Sequence, residues 1–124
     1  MAYIPDRGDI VWVNFTPQAG HEQAGHRPAL VLSAASYNGK TSLMLCCPIT
    51  SQIKGYPFEV VLTDDLPVRG AILADQVRSL DWKARKAKRK DKASNEVVEA
   101  TLALVRTLLG WQKLVGLRVK ILYL

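Results

Sequence analysis

Residues 22–32 read EQAGHRPALVL, and the first six of them hold a carboxylate, an imidazole and a guanidinium: Glu22, His26 and Arg27. An arginine at a loop-to-strand junction is steadied by the strand behind it while its head group faces solvent. There a guanidinium binds a phosphate through two parallel hydrogen bonds and stabilises negative charge as it develops. Glu22 and His26 are side chains of the kind that take a proton from a hydroxyl, imidazole doing so near neutral pH. Two further polar groups close apolar runs: Thr50, Ser51, Gln52 and Lys54 in PITSQIK, and Asp75 and Gln76 in LADQ. None of these belongs to a phosphate-cradling glycine loop, a nucleophile elbow or a zinc-protease motif.

The elements that must carry these residues are short. GDIVWVNF (8–15) is apolar on both alternating faces, as in a strand buried on two sides or curled into a small barrel. Residues 16–26 hold two glycines, a proline and no apolar period, which predicts a long loop. PALVLSA (28–34) and SLMLCCPIT (42–50) read as strands, with Asn38-Gly39 between them as a tight hairpin turn. A pair turning there places residue 27 opposite a position near 51, so Arg27 and Thr50 become neighbours. After a loop at 51–57, FEVVL (58–62) and AILADQVRSL (71–80) read as two more strands.

SNEVVEATLALVRTLLG (94–110) has helical spacing. Ser94 or Asn95 serves as cap, Val98, Leu102, Val105 and Leu109 form the stripe, and Gly110 is the stop. The expected class is mainly β with α: a compact barrel or sandwich with a C-terminal helix, as one domain over 1–110. Residues 111–124, WQKLVGLRVKILYL, are an apolar and basic extension to which no element is assigned.

The chain has 124 residues and a formal charge of +6, enough for one hydrophobic core. Residues 83–92, KARKAKRKDK, hold seven basic side chains and one acidic, leaving ten of each sign elsewhere. A run of this kind suits phosphates, an acidic protein segment, or plain solvation. Cys46 and Cys47 are adjacent and would point to opposite faces of a strand, as buried small hydrophobes rather than a bridge. The two histidines share one loop, so no metal or cofactor is expected. Nothing at the N-terminus reads as a signal peptide, and no run approaches the roughly 20 apolar residues of a membrane span. The expected location is cytoplasmic.

PDRGDIVWVNFTP, EQAGHRPALVLS, PITSQIKGYPFEV and LADQVRSLDW resemble, in order and spacing, the MazF/Kid/PemK toxins of bacterial toxin–antitoxin modules. The resemblance implies a homodimeric SH3-like barrel acting as a sequence-specific endoribonuclease on single-stranded RNA. Such toxins use no metal: the 2′-hydroxyl attacks the adjacent phosphate, leaving 2′,3′-cyclic phosphate and 5′-hydroxyl ends and stopping translation. It also implies a MazE-like antitoxin with an acidic C-terminal segment, and DNA binding together with it. The family's catalytic arginine falls on Arg27, its threonine on Thr50 and its loop glutamate on Glu22. Glu22 or His26 would assist as base, and Asn14, Ser51, Gln52, Lys54 and Gln76 would contact substrate. KARKAKRKDK is more basic than the family pattern, and residues 111–124 run past it. Two alternatives keep the fold: a gyrase-binding toxin of the CcdB type, which the Arg27–Thr50 pair disfavours, and a non-catalytic nucleic-acid-binding barrel.

Overall fold

A computed structural model describes residues 2–16, 20–21, 25–63 and 65–110. Among them the doubly apolar first stretch forms β1 (Asp9–Asn14), with Ile10, Val11 and Val13 fully buried and Trp12 40% exposed. There follow β2 (His26–Val31), α1 (Ala35–Thr41), β3 (Leu43–Thr50), β4 (Glu59–Val61), β5 (Ala71–Leu73), β6 (Arg78–Asp81), β7 (Lys88–Lys92) and α2 (Asn95–Leu108). The strands make one antiparallel sheet in the order β4-β5-β3-β2-β1-β7, with β6 also on β3. It is barrel-like without closing, β4, β6 and β7 each having one partner strand among the described residues.

Alternation along the strands divides the core into two clusters. Ile10, Leu30, Cys47, Ile49 and Ile72 pack with Val97 and Val98 under α2. Val11, Val13, Phe15, Ala29, Val31, Met44 and Cys46 pack with Leu80 and Trp82 on the other face. Cys46 and Cys47 therefore face opposite ways as small buried hydrophobes, and burial raises both thiols, Cys46 to about 12.

Several expectations need correction. Asn38-Gly39 is not a hairpin turn; it lies inside α1, which reverses the chain and ends on Ser42 in the left-handed region (φ 64). The reason is a buried amide: Asn38 Nδ2 donates to Pro5 O (2.7 Å) and Ser33 O (3.0 Å), and Asn38 Oδ1 accepts from Ser33 Oγ (2.6 Å). Its backbone carbonyl accepts from Trp82 Nε1 at 2.9 Å, tying the helix to the second cluster. Helix α1 lacks a side-chain cap of its own at Ala34, and Asp6 supplies one by accepting from Ala35 N at 2.9 Å. That bond holds the Asp6 carboxyl below the usual carboxylate range.

The stretch 71–80 is not one strand. A single turn of 3₁₀ helix, Ala74–Gln76, separates β5 from β6. Met44 pairs with Leu80, and continuing that ladder would set Ile49 opposite residue 75; it pairs with Ile72 instead. The interruption thus takes up three residues and re-aims them. Strand β2 begins at His26, two residues earlier than expected, which puts His26 on the sheet and not on the loop. The basic run is half strand, β7 pairing with β1 along the edge. Helix α2 starts as expected, Ser94 accepting from Val97 N, but Leu109 is 78% exposed and leaves the buried stripe. The extension at 111–124 lies outside the described residues.

Asn38→Ala removes the donor to two carbonyls and the acceptor for a hydroxyl, at a side chain that is itself fully buried. Unmet buried partners of this kind cost about 3 kcal/mol in sum. A urea melt of Asn38→Ala is therefore expected to shift its midpoint down with the slope preserved. An unchanged midpoint would show that the amide is replaceable.

Candidate functional site

The site is built where β2 begins and β3 ends. The β2–β3 ladder pairs Ala29 with Pro48, Leu30 with Cys47 and Val31 with Cys46. Two steps further along the same register, Arg27 stands opposite Thr50, and by alternation both side chains lie on one face. Arg27 is half-buried and is also locked from the other side, pairing with Val13 of β1. Thr50 is 8% exposed, and Thr50 Oγ1 accepts from Gln52 N at 3.1 Å. That bond turns the chain out of β3 and leaves the hydroxyl proton for another acceptor.

Thr50 opens into a cavity of ≈ 340 Å³ lined by His21, Gln52, Lys54, Tyr56, Glu59, Leu73, Asp75 and Gln76. The 3₁₀ turn after β5 delivers Asp75 and Gln76 to it. The loop 51–57 delivers Gln52, Lys54 and Tyr56, all exposed, with the Lys54 ammonium 6.0 Å from the Tyr56 ring centroid. This loop is irregular, and the Glu59 carboxylate shapes it by accepting from Lys54 N (3.2 Å to each oxygen) and Gly55 N (2.8 Å). Ser51 is exposed at the loop's root.

The structure separates the anticipated residues into two groups. Thr50, Gln52, Lys54 and Gln76 share the first cavity, whereas Asn14 and His26 line an open groove of ≈ 520 Å³ with Thr16, Asp81, Ala84, Arg85 and Lys86. The connection between β1 and β2 serves both, giving His21 to one and Thr16 to the other. Its root is pinned: Arg85 Nη1 donates to Asn14 O (2.9 Å) and Thr16 O (2.8 Å), and Phe15 N donates to Gly25 O (2.9 Å). Asn14 Oδ1 accepts from Thr16 N and Thr16 Oγ1, so its amide oxygen shapes the loop root. Glu22 lies outside the described residues.

Sequence reasoning left Asp75 without a role and passed over His21, Tyr56, Glu59 and Arg85. The signal for Glu59 was present: a carboxylate four residues after a lysine–glycine pair suits a loop clamp. Nothing local marks Arg85 among its basic neighbours. Among the described residues no group of three histidine, cysteine or carboxylate side chains could hold a metal ion.

Glu59→Gln keeps the side chain's length but loses the charge and one acceptor from the loop clamp. It is expected to raise KM for a substrate held by the 51–57 loop about five- to tenfold, with kcat nearly kept. A kcat loss at constant KM would instead place Glu59 in the chemistry.

The sequence profile of the PemK-like, MazF-like toxins of type II toxin–antitoxin systems matches residues 6–109. The endoribonuclease toxin MazF of Escherichia coli K12 is 51% identical over 108 residues, covering 87% of this chain and 96% of that one. MazF from Deinococcus radiodurans superposes with a TM-score of 0.86 at 56% identity, over 88% of this chain and 99% of that one. The MazE–MazF structure (Form-II) from the same organism superposes at 0.81 with 55% identity, over 90% and 100%. With a profile match spanning both cavities and this degree of identity, the chain belongs to the PemK-like, MazF-like toxin family of type II toxin–antitoxin systems.

Proposed function

We propose that this chain is a toxin endoribonuclease that cuts single-stranded RNA at the Arg27–Thr50 pair and is restrained by a MazE-like antitoxin. The observation that carries the reading is the register setting a strand-anchored guanidinium opposite a nearly buried threonine hydroxyl on one face, beside a polar cavity. Cleavage proceeds by attack of the 2′-hydroxyl on the neighbouring phosphorus, leaving a 2′,3′-cyclic phosphate and a 5′-hydroxyl. Arg27 holds the phosphate in two-pronged fashion and stabilises the charge of the pentavalent phosphorane. Thr50 donates its hydroxyl proton to a phosphoryl oxygen.

The base is drawn from the side chains around this pair. Glu22 and His26 precede Arg27 in the chain, and Asp75 and His21 share the cavity of Thr50. Gln52, Lys54 and Gln76 on the cavity wall contact bases or phosphates, with Ser51 beside them and Asn14 on the second groove. Residues 1–110 form the catalytic domain and 111–124 an added segment, the working unit being a homodimer. Among the described residues no helix is long and apolar enough to cross a membrane; we place the toxin in the cytoplasm, with its messenger RNA substrate.

The deciding experiment incubates the purified chain with a long single-stranded RNA in EDTA and maps the ends. Cuts at one short motif with cyclic phosphate termini support the reading. Intact RNA under all conditions would sink it and favour a toxin that binds without cutting.

A further inference from the structure

The basic run that composition singles out is not consumed by the catalytic pair. Its second half is β7, whose register partner is β1: Lys88 pairs with Trp12, Arg89 with Val11, Asp91 with Ile10 and Lys92 with Asp9. Lys90 is the extra residue between two of these pairs, and a bulge of this kind re-aims a side chain. The Lys90 ammonium stands 5.7 Å from the Trp12 ring centroid. On the adjacent strand the His26 ring lies nearly parallel to the Trp12 ring, 17° between planes and 6.3 Å between centroids. Trp12 is 40% exposed although it sits mid-strand in the sheet.

The cations of the strand differ in their engagement. Arg89 and Lys92 approach the buried Asp9 carboxylate at 3.8 and 3.4 Å. Lys88 and Lys90 are exposed and have no ion-pair partner among the described residues. From Lys88 and Lys90 the surface runs over Trp12 to His26, and on into the groove of Asn14, Arg85 and Lys86. His26 is the chain neighbour of Arg27. A track of cations beside exposed, near-parallel aromatic rings suits single-stranded nucleic acid, whose phosphates meet the charges while bases stack. An acidic peptide would use the charges and leave the rings unexplained.

We infer that the outer face of the β1–β7 pair, from Lys88 and Lys90 over Trp12 to His26, binds the stretch of single-stranded RNA that flanks the cleaved bond. The inference rests on the endoribonuclease reading above and extends the RNA footprint beyond the catalytic cavity. It makes cleavage efficiency depend on substrate length.

The test compares a short RNA of about 6 nucleotides carrying the cut motif with one of about 20 nucleotides carrying the same motif. In the double variant Lys88→Gln/Lys90→Gln, the ratio of KM for the long RNA to KM for the short one is expected to rise about tenfold. Lys40→Gln, an exposed cation on α1, serves as the matched control. Should the double variant fail to fold, the unmodified chain carries the test. Its log KM for the long RNA must rise with log salt more steeply than for the short one, by about 1.4 for two phosphate contacts. A folded double variant with an unchanged ratio, or equal salt slopes, overturns the assignment. So does a loss of binding to a polyglutamate peptide with no change toward RNA, which would make the face a protein-docking surface. Binding of the long RNA to Arg27→Ala separates the two readings. If the unmodified chain cuts neither RNA but lysine-dependent binding persists, the cleavage reading fails and the surface stands; if no RNA binds, the surface falls as well.

Discussion

Arg27→Ala is expected to lower the single-turnover rate of RNA cleavage by about 10²–10³-fold, the usual effect of removing a group aimed at developing charge. Arg27 is the second residue of β2, flanked by β1 through its pairing with Val13 and standing across from Thr50 on β3. A side chain rooted in the β1–β2 ladder loses little motion when phosphate arrives, so in the proposed role its charge would act on the transition state without reorganisation. Arg27→Lys preserves one positive charge but not the planar fork, and should recover only part of the loss. A thermal melt identifies any variant whose inactivity is merely unfolding. If folded Arg27→Ala cuts RNA within about threefold of the unmodified rate, the guanidinium is not at the reacting phosphate.

How much of this was legible beforehand varies by residue, for physical reasons. The helix α2 was legible because Ser94, Glu96, Val98 and Gly110 each obey local rules, and local rules suffice for a helix end. The neighbourhood of Arg27 and Thr50 was legible too, though through a wrong intermediate. The supposed turn at Asn38-Gly39 predicts a position near 51 opposite Arg27, and the register of the β2–β3 ladder, extended two residues past Ala29–Pro48, points to Thr50. The turn itself was misread because what decides Asn38 is Pro5 O, thirty-three positions away, and no local propensity contains that partner. The interruption at Ala74–Gln76 was hidden for a related reason: AILADQVRSL keeps a strand-like composition on both sides of the 3₁₀ turn.

The basic strand β7 was the least legible element. Lysine is a poor strand former, and edge strands need only one ladder and tolerate charge on the open side. The family resemblance supplied roles for Arg27, Thr50 and Glu22 that spacing alone does not. It did not indicate that Asn14 and His26 face a second groove, which depends on how the chain from 82 to 87 crosses back to β1.

The largest structural effect is expected at Gly70, a residue with no side chain to offer the site. It precedes β5 at φ +121, a conformation that L side chains rarely adopt. A Cβ added there would overlap the Thr50 carbonyl oxygen and stand 2.9 Å from the Thr50 carbonyl carbon and 3.1 Å from Ser51 Cα. All three atoms are backbone, so no rotamer change relieves the clash. Either β5 parts from β3 at the Thr50–Ala71 pair, or the end of β3 moves and carries the Thr50 hydroxyl with it. Strain at such a φ costs about 1–3 kcal/mol, and overpacking adds about as much. Gly55 supplies the comparison, since it has φ +81 with nothing within 4 Å of its virtual Cβ. Gly55→Ala should show the backbone strain alone, and Gly70→Ala the strain plus the collision, melting lower by roughly 2 kcal/mol more. Catalysis is expected to separate them further: given the role proposed for Thr50, its displacement lowers kcat in whatever fraction of Gly70→Ala folds. Equal melts and equal kcat for the two variants would show that β5 yields without moving Thr50, and that the close approach of glycine to the end of β3 is incidental.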